Sequence, residues 1–140
     1  MSESRRYRAL IFCDLDDTLI AGSAPVSAAN AAMIARLAES GVGVVAASGR
    51  NLMLLKRVLP PELSLAFAIC STGVGIIDWP THRLLRRSEL SAATAAAAAQ
   101  KLRAAGANFM VHAPLPDNHH CHYCAALPDS GARADFYRRL

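Results

Sequence analysis

Three short, continuously apolar blocks, Ala9 to Cys13, Val42 to Ala47 and Ala66 to Cys70, each stop abruptly at polar residues. This is the pattern of parallel strands buried on both faces. Helical periodicities fill the gaps. Ser27 can cap a helix running to Ser40, with Gly41 as its stop, and Met33, Ile34, Leu37 and Ala38 recur at the spacing that faces a sheet. A second helix carries Leu52, Leu55, Val58 and Leu59 as one stripe and ends at Pro60-Pro61. Ser71 to Gly75 reads as a polar, flexible turn, after which Ile76 to Trp79 and Arg83 to Leu85 can form a hairpin. Ser91 to Ala105 is an Ala-rich helix, strong in propensity and poor in large core side chains, with Gly106 as its stop. Asn108 to His112 and Cys121 to Leu127 read as strands around a Pro-rich loop, Ala113 to Asn118, and Asp129-Ser130-Gly131 turns into a final segment ending at Arg139-Leu140. Strands that alternate with helices predict an α/β fold.

The first apolar block meets Asp14, Asp16 and Asp17, three carboxylates within four positions. Like charges at this spacing repel, and at the mouth of a buried strand they are disfavoured unless a cation or a proton offsets them. The C-terminal end of such a strand is also where open α/β sheets place ligands. Residues alternate across extended backbone, so Asp14 and Asp16 face one site while Leu15 points away. An Asp carboxylate is a nucleophile in phosphoryl transfer, and oxygen-rich sites suit Mg²⁺, which keeps waters and binds substrate phosphate as well. On this reading Asp14 attacks phosphorus and Asp16 handles the leaving-group proton. The plainer alternative is an acidic turn capping the next element.

The second block ends in Ser48-Gly49-Arg50. A hydroxyl at a strand end, beside a glycine and a helix N-terminus, can donate to a phosphate oxygen while backbone N–H groups add more. An ordinary N-cap explains the same residues.

Composition narrows the class. The chain has 140 residues, 53% hydrophobic and 19% charged, enough for a real core and not the makeup of a disordered chain. The net charge of +4 comes mostly from Arg5, Arg6 and Arg8, from Arg83, Arg86 and Arg87, and from Arg138 and Arg139. It suits an anionic substrate better than nucleic acid, because the clusters are short, scattered and without interleaved aromatics; solvated faces are the plainer account. No apolar run has the roughly 18 to 20 residues of a membrane span, and the run after the polar Met1 to Arg8 is too short for a signal-peptide core. A cytoplasmic location and four reduced cysteines are therefore expected, with Cys13 and Cys70 as small core residues. Cys121 and Cys124, among His119, His120 and His122, make zinc conceivable. Neighbouring positions of a strand point to opposite faces, however, which favours a polar strand lining a substrate cavity.

Asp14-Leu15-Asp16-Asp17-Thr18-Leu19 resembles the DxDxT signature of the haloacid dehalogenase superfamily, mostly phosphatases. The resemblance implies Asp14 as nucleophile, Asp16 as general acid/base, Mg²⁺ held by Asp14 and the Asp16 carbonyl, and Thr18 shaping the turn. Ser48, with Gly49 and Arg50, is similar to the second motif, which binds the transferring phosphoryl group, and the Ser-Gly-Arg form resembles the Thr-Gly-Arg of sugar-phosphatase branches. The turn with Thr72 and Gly73, near the site, and the hairpin after it resemble the sucrose-phosphatase and Cof-like branch. The fold implied is a Rossmann-like core with a partial parallel sheet over residues 1–85 and the start of an α/β cap, of the C2B type, over residues 86–140.

The family places a third-motif Lys and fourth-motif Asp residues after the cap, on two further core strands. This sequence offers neither; its lysines are Lys56 and Lys101, both in helical segments. Two functions of different class follow, with a nucleic-acid-binding module, resting only on net charge, as a third. One is a Mg²⁺-dependent phosphohydrolase acting on a small phosphorylated metabolite, with a sugar phosphate expected. The other is a non-catalytic binding or assembly protein that keeps the front half of the fold. In the family the first strand is central, so Ala9 to Cys13 is expected here at a sheet edge, open to self-association or to a complementing chain.

Overall fold

The computed structural model describes residues 7–22 and 24–125. The expected turn at Asp129 to Gly131 and the segment after it lie outside the described residues, as does the end of the expected strand at Leu127. The chain divides into two compact units, Met1–Ser88 and Glu89–Leu140.

The first unit is a five-stranded sheet in sequence order: β1 (Ala9–Asp14), β2 (Val42–Ala47), β3 (Phe67–Cys70), β4 (Gly75–Asp78) and β5 (Arg83–Arg87). β1, β2 and β3 run parallel, and β4 and β5 return antiparallel as a hairpin with an irregularity between Ile76 and Ile77. Two helices complete the unit, α1 (Ala28–Glu39) and α2 (Leu52–Val58). α1 starts where expected, with the Ser27 hydroxyl accepting the Asn30 N–H. Ile34 is its buried residue, whereas Met33, expected to face the sheet, is exposed. All four stripe residues around α2 are buried: Leu52, Leu55, Val58 and Leu59.

The core gathers on β2 and its neighbours. Val42, Val44, Val45, Ala46, Leu65, Ala66, Ala68, Ile77 and Trp79 are all buried, which fits strands whose two faces are covered. β1 departs from expectation. Leu10, Ile11 and Phe12 are 43%, 45% and 64% exposed. Consecutive residues point to opposite faces, so this strand is open on both. The reason is its place in the sheet: among the described residues β1 pairs with β2 on one side and is the outermost strand. A solid apolar run records what a strand is suited to meet, not what meets it. Cys13 is accordingly half-buried, while Cys70 is fully buried.

Gly43, in β2, is closely approached from both sides. A Cβ there would lie 2.7 Å from Leu10 Cδ2 and 2.9 Å from both Ala66 Cβ and Tyr7 Cδ1. Leu10 and Tyr7 can swing away, but Ala66 Cβ is fixed to a buried backbone. Gly43→Ala is expected to destabilise the fold by about 1–3 kcal/mol, read as a lower urea midpoint at unchanged slope.

The second unit pairs α3 (Ala92–Ala104) with a two-stranded antiparallel ribbon, β6 (Phe109–His112) and β7 (Cys121–Cys124). Ser91 caps α3 through the Thr94 N–H, and no residue of that helix is buried, in keeping with its lack of large side chains. Leu115, in the connection between β6 and β7, is buried, and its N–H donates to Glu89 Oε1 at 2.8 Å.

Candidate active site

β1, β2 and β3 run the same way in close register, with Asp14 level with Ala47 and Ala47 level with Ile69. Their C-terminal ends therefore deliver three loops to one edge of the sheet, the position where open α/β sheets bind ligands. Backbone hydrogen bonds lock two of these loops together. Ser48 N–H donates to Ile69 O at 3.0 Å, Thr72 N–H to Ser48 O at 3.2 Å and Ser71 N–H to Arg50 O at 2.8 Å.

In the first loop, Leu15 is fully buried between exposed Asp14 and Asp16, so the strand's last alternation turns both acids outward. The Leu15 carbonyl then accepts the N–H groups of Thr18, Leu19 and Ile20 at 3.5, 3.0 and 3.0 Å, which winds the chain into a tight turn. Asp17 takes φ +56° within it, a conformation that Asp tolerates better than most residues, and its Oδ1 accepts the Gly22 N–H at 3.4 Å. Asn30 at the start of α1 donates to Leu19 O at 2.9 Å and ties the turn to the helix.

Ser48 is not the cap of α2. That role belongs to Asn51, whose Oδ1 accepts the Leu54 N–H at 2.9 Å. Ser48 is left for the site: its hydroxyl accepts the Arg50 N–H at 3.1 Å and donates to Asp16 Oδ2 at 3.3 Å. Arg50 reaches the same carboxylate, with Nη2 2.6 Å from Oδ1 and Nε 3.0 and 3.3 Å from Oδ1 and Oδ2. Nη2 also donates to Gly22 O at 2.9 Å. Ser48 and Arg50 thus meet on Asp16. Gly49 is exposed, and a Cβ there would come 3.6 Å from Thr72 Oγ1, which places the second and third loops side by side. The third loop is a short 3-10 turn, Ser71–Gly73, within the expected turn, with φ of +52° at Ser71, +55° at Thr72 and +96° at Gly73.

Asp14 ends β1, and Asp16, Thr18, Ser48, Gly49, Arg50, Thr72 and Gly73 lie on these three loops. The Arg50–Asp16 pairing and the tie through Asn30 were not legible in the sequence, since no spacing rule links positions 34 residues apart. An open cleft of about 430 Å³ beside them is lined by Asp17, Thr18, Ile20, Ala24, Pro25 and Asn30, among others, but by none of Asp14, Asp16, Ser48 or Arg50.

Hydrogen bonds from Arg50, aided by its charge and by Ser48, hold the Asp16 carboxyl below its ordinary value of 3.8, against a smaller opposing effect of burial. Because the folded value is depressed, the pair adds stability above the unfolded value and loses it as pH falls through the folded one. The pair is half-open to solvent, with the Asp16 side chain 45% exposed. Asp16→Asn is thus expected to cost only about 0.2–1 kcal/mol near pH 7, and progressively less as pH falls below the ordinary carboxylate value, in urea melts of both proteins.

Hard carboxylate and carbonyl oxygens are the donor type for Mg²⁺. Asp14 is exposed and in no ion pair among the described residues, and so is available; the Asp16 carboxylate is engaged by Arg50, which leaves its backbone carbonyl as the second donor. Among the described residues no group of three or more His, Cys, Asp or Glu side chains could hold a metal ion. The donors fit an ion held mainly by water and substrate phosphate, not one enclosed by protein.

The same holds for the zinc alternative: among the described residues, the cysteines and histidines at 119–124 form no group of three or more that could hold a metal ion. In β7, Cys121 and Cys124 lie three apart and so on opposite faces. Cys121 Sγ lies 3.8 Å from Met110 Sδ, and Cys124 Sγ accepts from Arg103 at 3.4 Å. All four cysteines are free thiols.

The chain matches the haloacid dehalogenase-like hydrolase family over residues 11–119, and it belongs to that family. Among solved structures, a haloacid dehalogenase-like hydrolase from B. subtilis is 25% identical at a TM-score of 0.60, over 73% of this chain and 35% of its own. A protein of Bacteroides thetaiotaomicron, placed among the phosphatases of the haloalkanoate (HAD) enzyme superfamily, superposes at a TM-score of 0.68 with 18% identity, over 96% of this chain and 48% of its own. TM0651 of Thermotoga maritima gives 0.59 and 20% over 95% and 46%. These last two show the fold alone. The chain spans between a third and a half of these structures. No curated protein matches it.

Proposed function

We propose that this chain carries the nucleophile-bearing half of a Mg²⁺-dependent phosphohydrolase acting on a small phosphorylated metabolite. The observation that carries this reading is the alignment of three strand ends, which presents exposed Asp14 beside the loops of Asp16, Ser48 and Thr72. A sugar phosphate is the preferred substrate class, because Ser48-Gly49-Arg50 resembles the second motif of sugar-phosphatase branches. Residues 86–140 are read as the start of the cap that selects it. A cytoplasmic setting is part of the same reading; no described helix is long and apolar enough to cross a membrane.

Asp14 Oδ attacks phosphorus as the bond from phosphorus to the alcohol oxygen breaks, and that oxygen takes a proton from Asp16. Water then attacks the aspartyl-phosphate, Asp16 takes back a proton, and phosphate leaves with Asp14 regenerated. Ser48 O–H and the N–H groups of the second loop donate to the phosphoryl oxygens. Bound Mg²⁺, held by Asp14 and the Asp16 carbonyl, would supply positive charge against the substrate phosphate.

The test is hydrolysis of an aryl phosphate by the chain with and without Mg²⁺, alongside calorimetric titration of the ion. Turnover that requires Mg²⁺, with ion affinity weaker than about 0.1 mM, is expected, because so few protein oxygens are offered. Phosphate binding without turnover at any Mg²⁺ concentration would favour the binding or assembly reading.

A further inference from the structure

We propose that Arg50 is an exchangeable latch. It holds the Asp16 carboxylate and the Gly22 carbonyl, and a phosphate monoester entering beside Ser48 takes the guanidinium over, releasing Asp16 and the loop after Thr18 together. The inference rests on the phosphoryl-transfer reading of the site and adds to it a coupling between substrate arrival and freeing of the acid/base group.

The geometry supplies the reason. The two side-chain donors that a phosphoryl group would use, Ser48 O–H and the Arg50 guanidinium, are both directed at one anion, Asp16, at 3.3 Å and 2.6 Å. The carboxylate therefore occupies the donor set that suits a phosphate oxygen, and the two anions compete for it. A guanidinium fork matches carboxylate and phosphate alike, so the exchange costs little geometrically. Arg50 is also built to move at one end only. Its backbone is fixed on both sides, through N–H to Ser48 Oγ at 3.1 Å and O to Ser71 N–H at 2.8 Å. Its side-chain end rests on two partners in a part-open setting, 19% exposed against 45% for Asp16.

The second partner widens the effect. Arg50 Nη2 bridges Asp16 Oδ1 and Gly22 O and so joins the two groups through one cation. Moving the guanidinium to a phosphate frees both at once. A lysine ammonium, lacking the planar fork, could not span the two carboxylate oxygens and the carbonyl in this way.

The experiment measures binding of inorganic phosphate to the full chain by calorimetry in Mg²⁺-containing buffer, for the natural chain, Asp16→Asn, Arg50→Gln and the double variant. Thermal melts establish that each is folded. Competition predicts that Asp16→Asn tightens phosphate binding about tenfold in the natural background and about twofold or less when Arg50 is Gln, where only the lost charge remains. Equal tightening in both backgrounds, or none in either, overturns the latch and leaves the phosphate site standing. Phosphate binding to none of the four proteins overturns the phosphoryl-transfer reading and the latch with it.

Discussion

Asp14→Asn is expected to lower phosphate-ester turnover by about 10³-fold or more in any form of the protein that shows it, with thermal stability nearly unchanged. The amide has the shape of the carboxylate but cannot form the acyl-phosphate bond. Asp14 is exposed at the end of β1 and in no ion pair among the described residues, so its neutralisation leaves little behind to destabilise the fold. Single-turnover rates with an aryl phosphate, paired with thermal melts, separate lost chemistry from lost fold. A rate within about tenfold of the parent would remove the covalent route, since a nucleophile cannot be dispensable to that extent.

Much of this arrangement could be read from local pattern. Ser27 before α1, Ser91 before α3 and the Leu52, Leu55, Val58, Leu59 stripe are determined within one or two helical turns, and each is where the spacing put it. The placement of Asp14 and Asp16 at a strand end likewise follows from a run of five apolar residues stopping at acids. What escaped reading depends on partners far along the chain. Ser48 fits a helix cap as well as it fits a site, and only the presence of Asn51 in the cap position separates the two. Arg50 reads as a phosphate ligand, and its grip on Asp16 arises because parallel pairing of β1 and β2 brings their ends level. The exposure of β1 was missed in its burial, though not in its edge position, because hydrophobicity reports the strand's own preference while burial needs neighbours.

That exposure sets the second large effect. We propose that β1 is a docking edge, and that the isolated chain self-associates through it or binds a complementing chain there. The outer side of β1 carries backbone groups that β2 does not pair, and both of its faces show apolar side chains in Leu10, Ile11 and Phe12. Natural sheets avoid leaving a long apolar edge open, by charges, bulges or cover, and among the described residues Ala9–Cys13 has no charge, no bulge and no strand over its outer side. Burying these three half-exposed residues contributes about 1 kcal/mol each, and each new strand hydrogen bond about 0.5–1.5 kcal/mol. Association costs on the order of 4–15 kcal/mol, so two edges alone should pair only weakly, with micromolar or weaker affinity. A partner that supplied a strand and also covered both faces would bind far more tightly. Sedimentation equilibrium should therefore show concentration-dependent association, and Phe12→Lys, which places a charge on the edge, should weaken it by about tenfold or more. A cooperatively melting monomer at high concentration would mean that the edge needs no partner, and the reading of this chain as half of a catalytic domain would be given up.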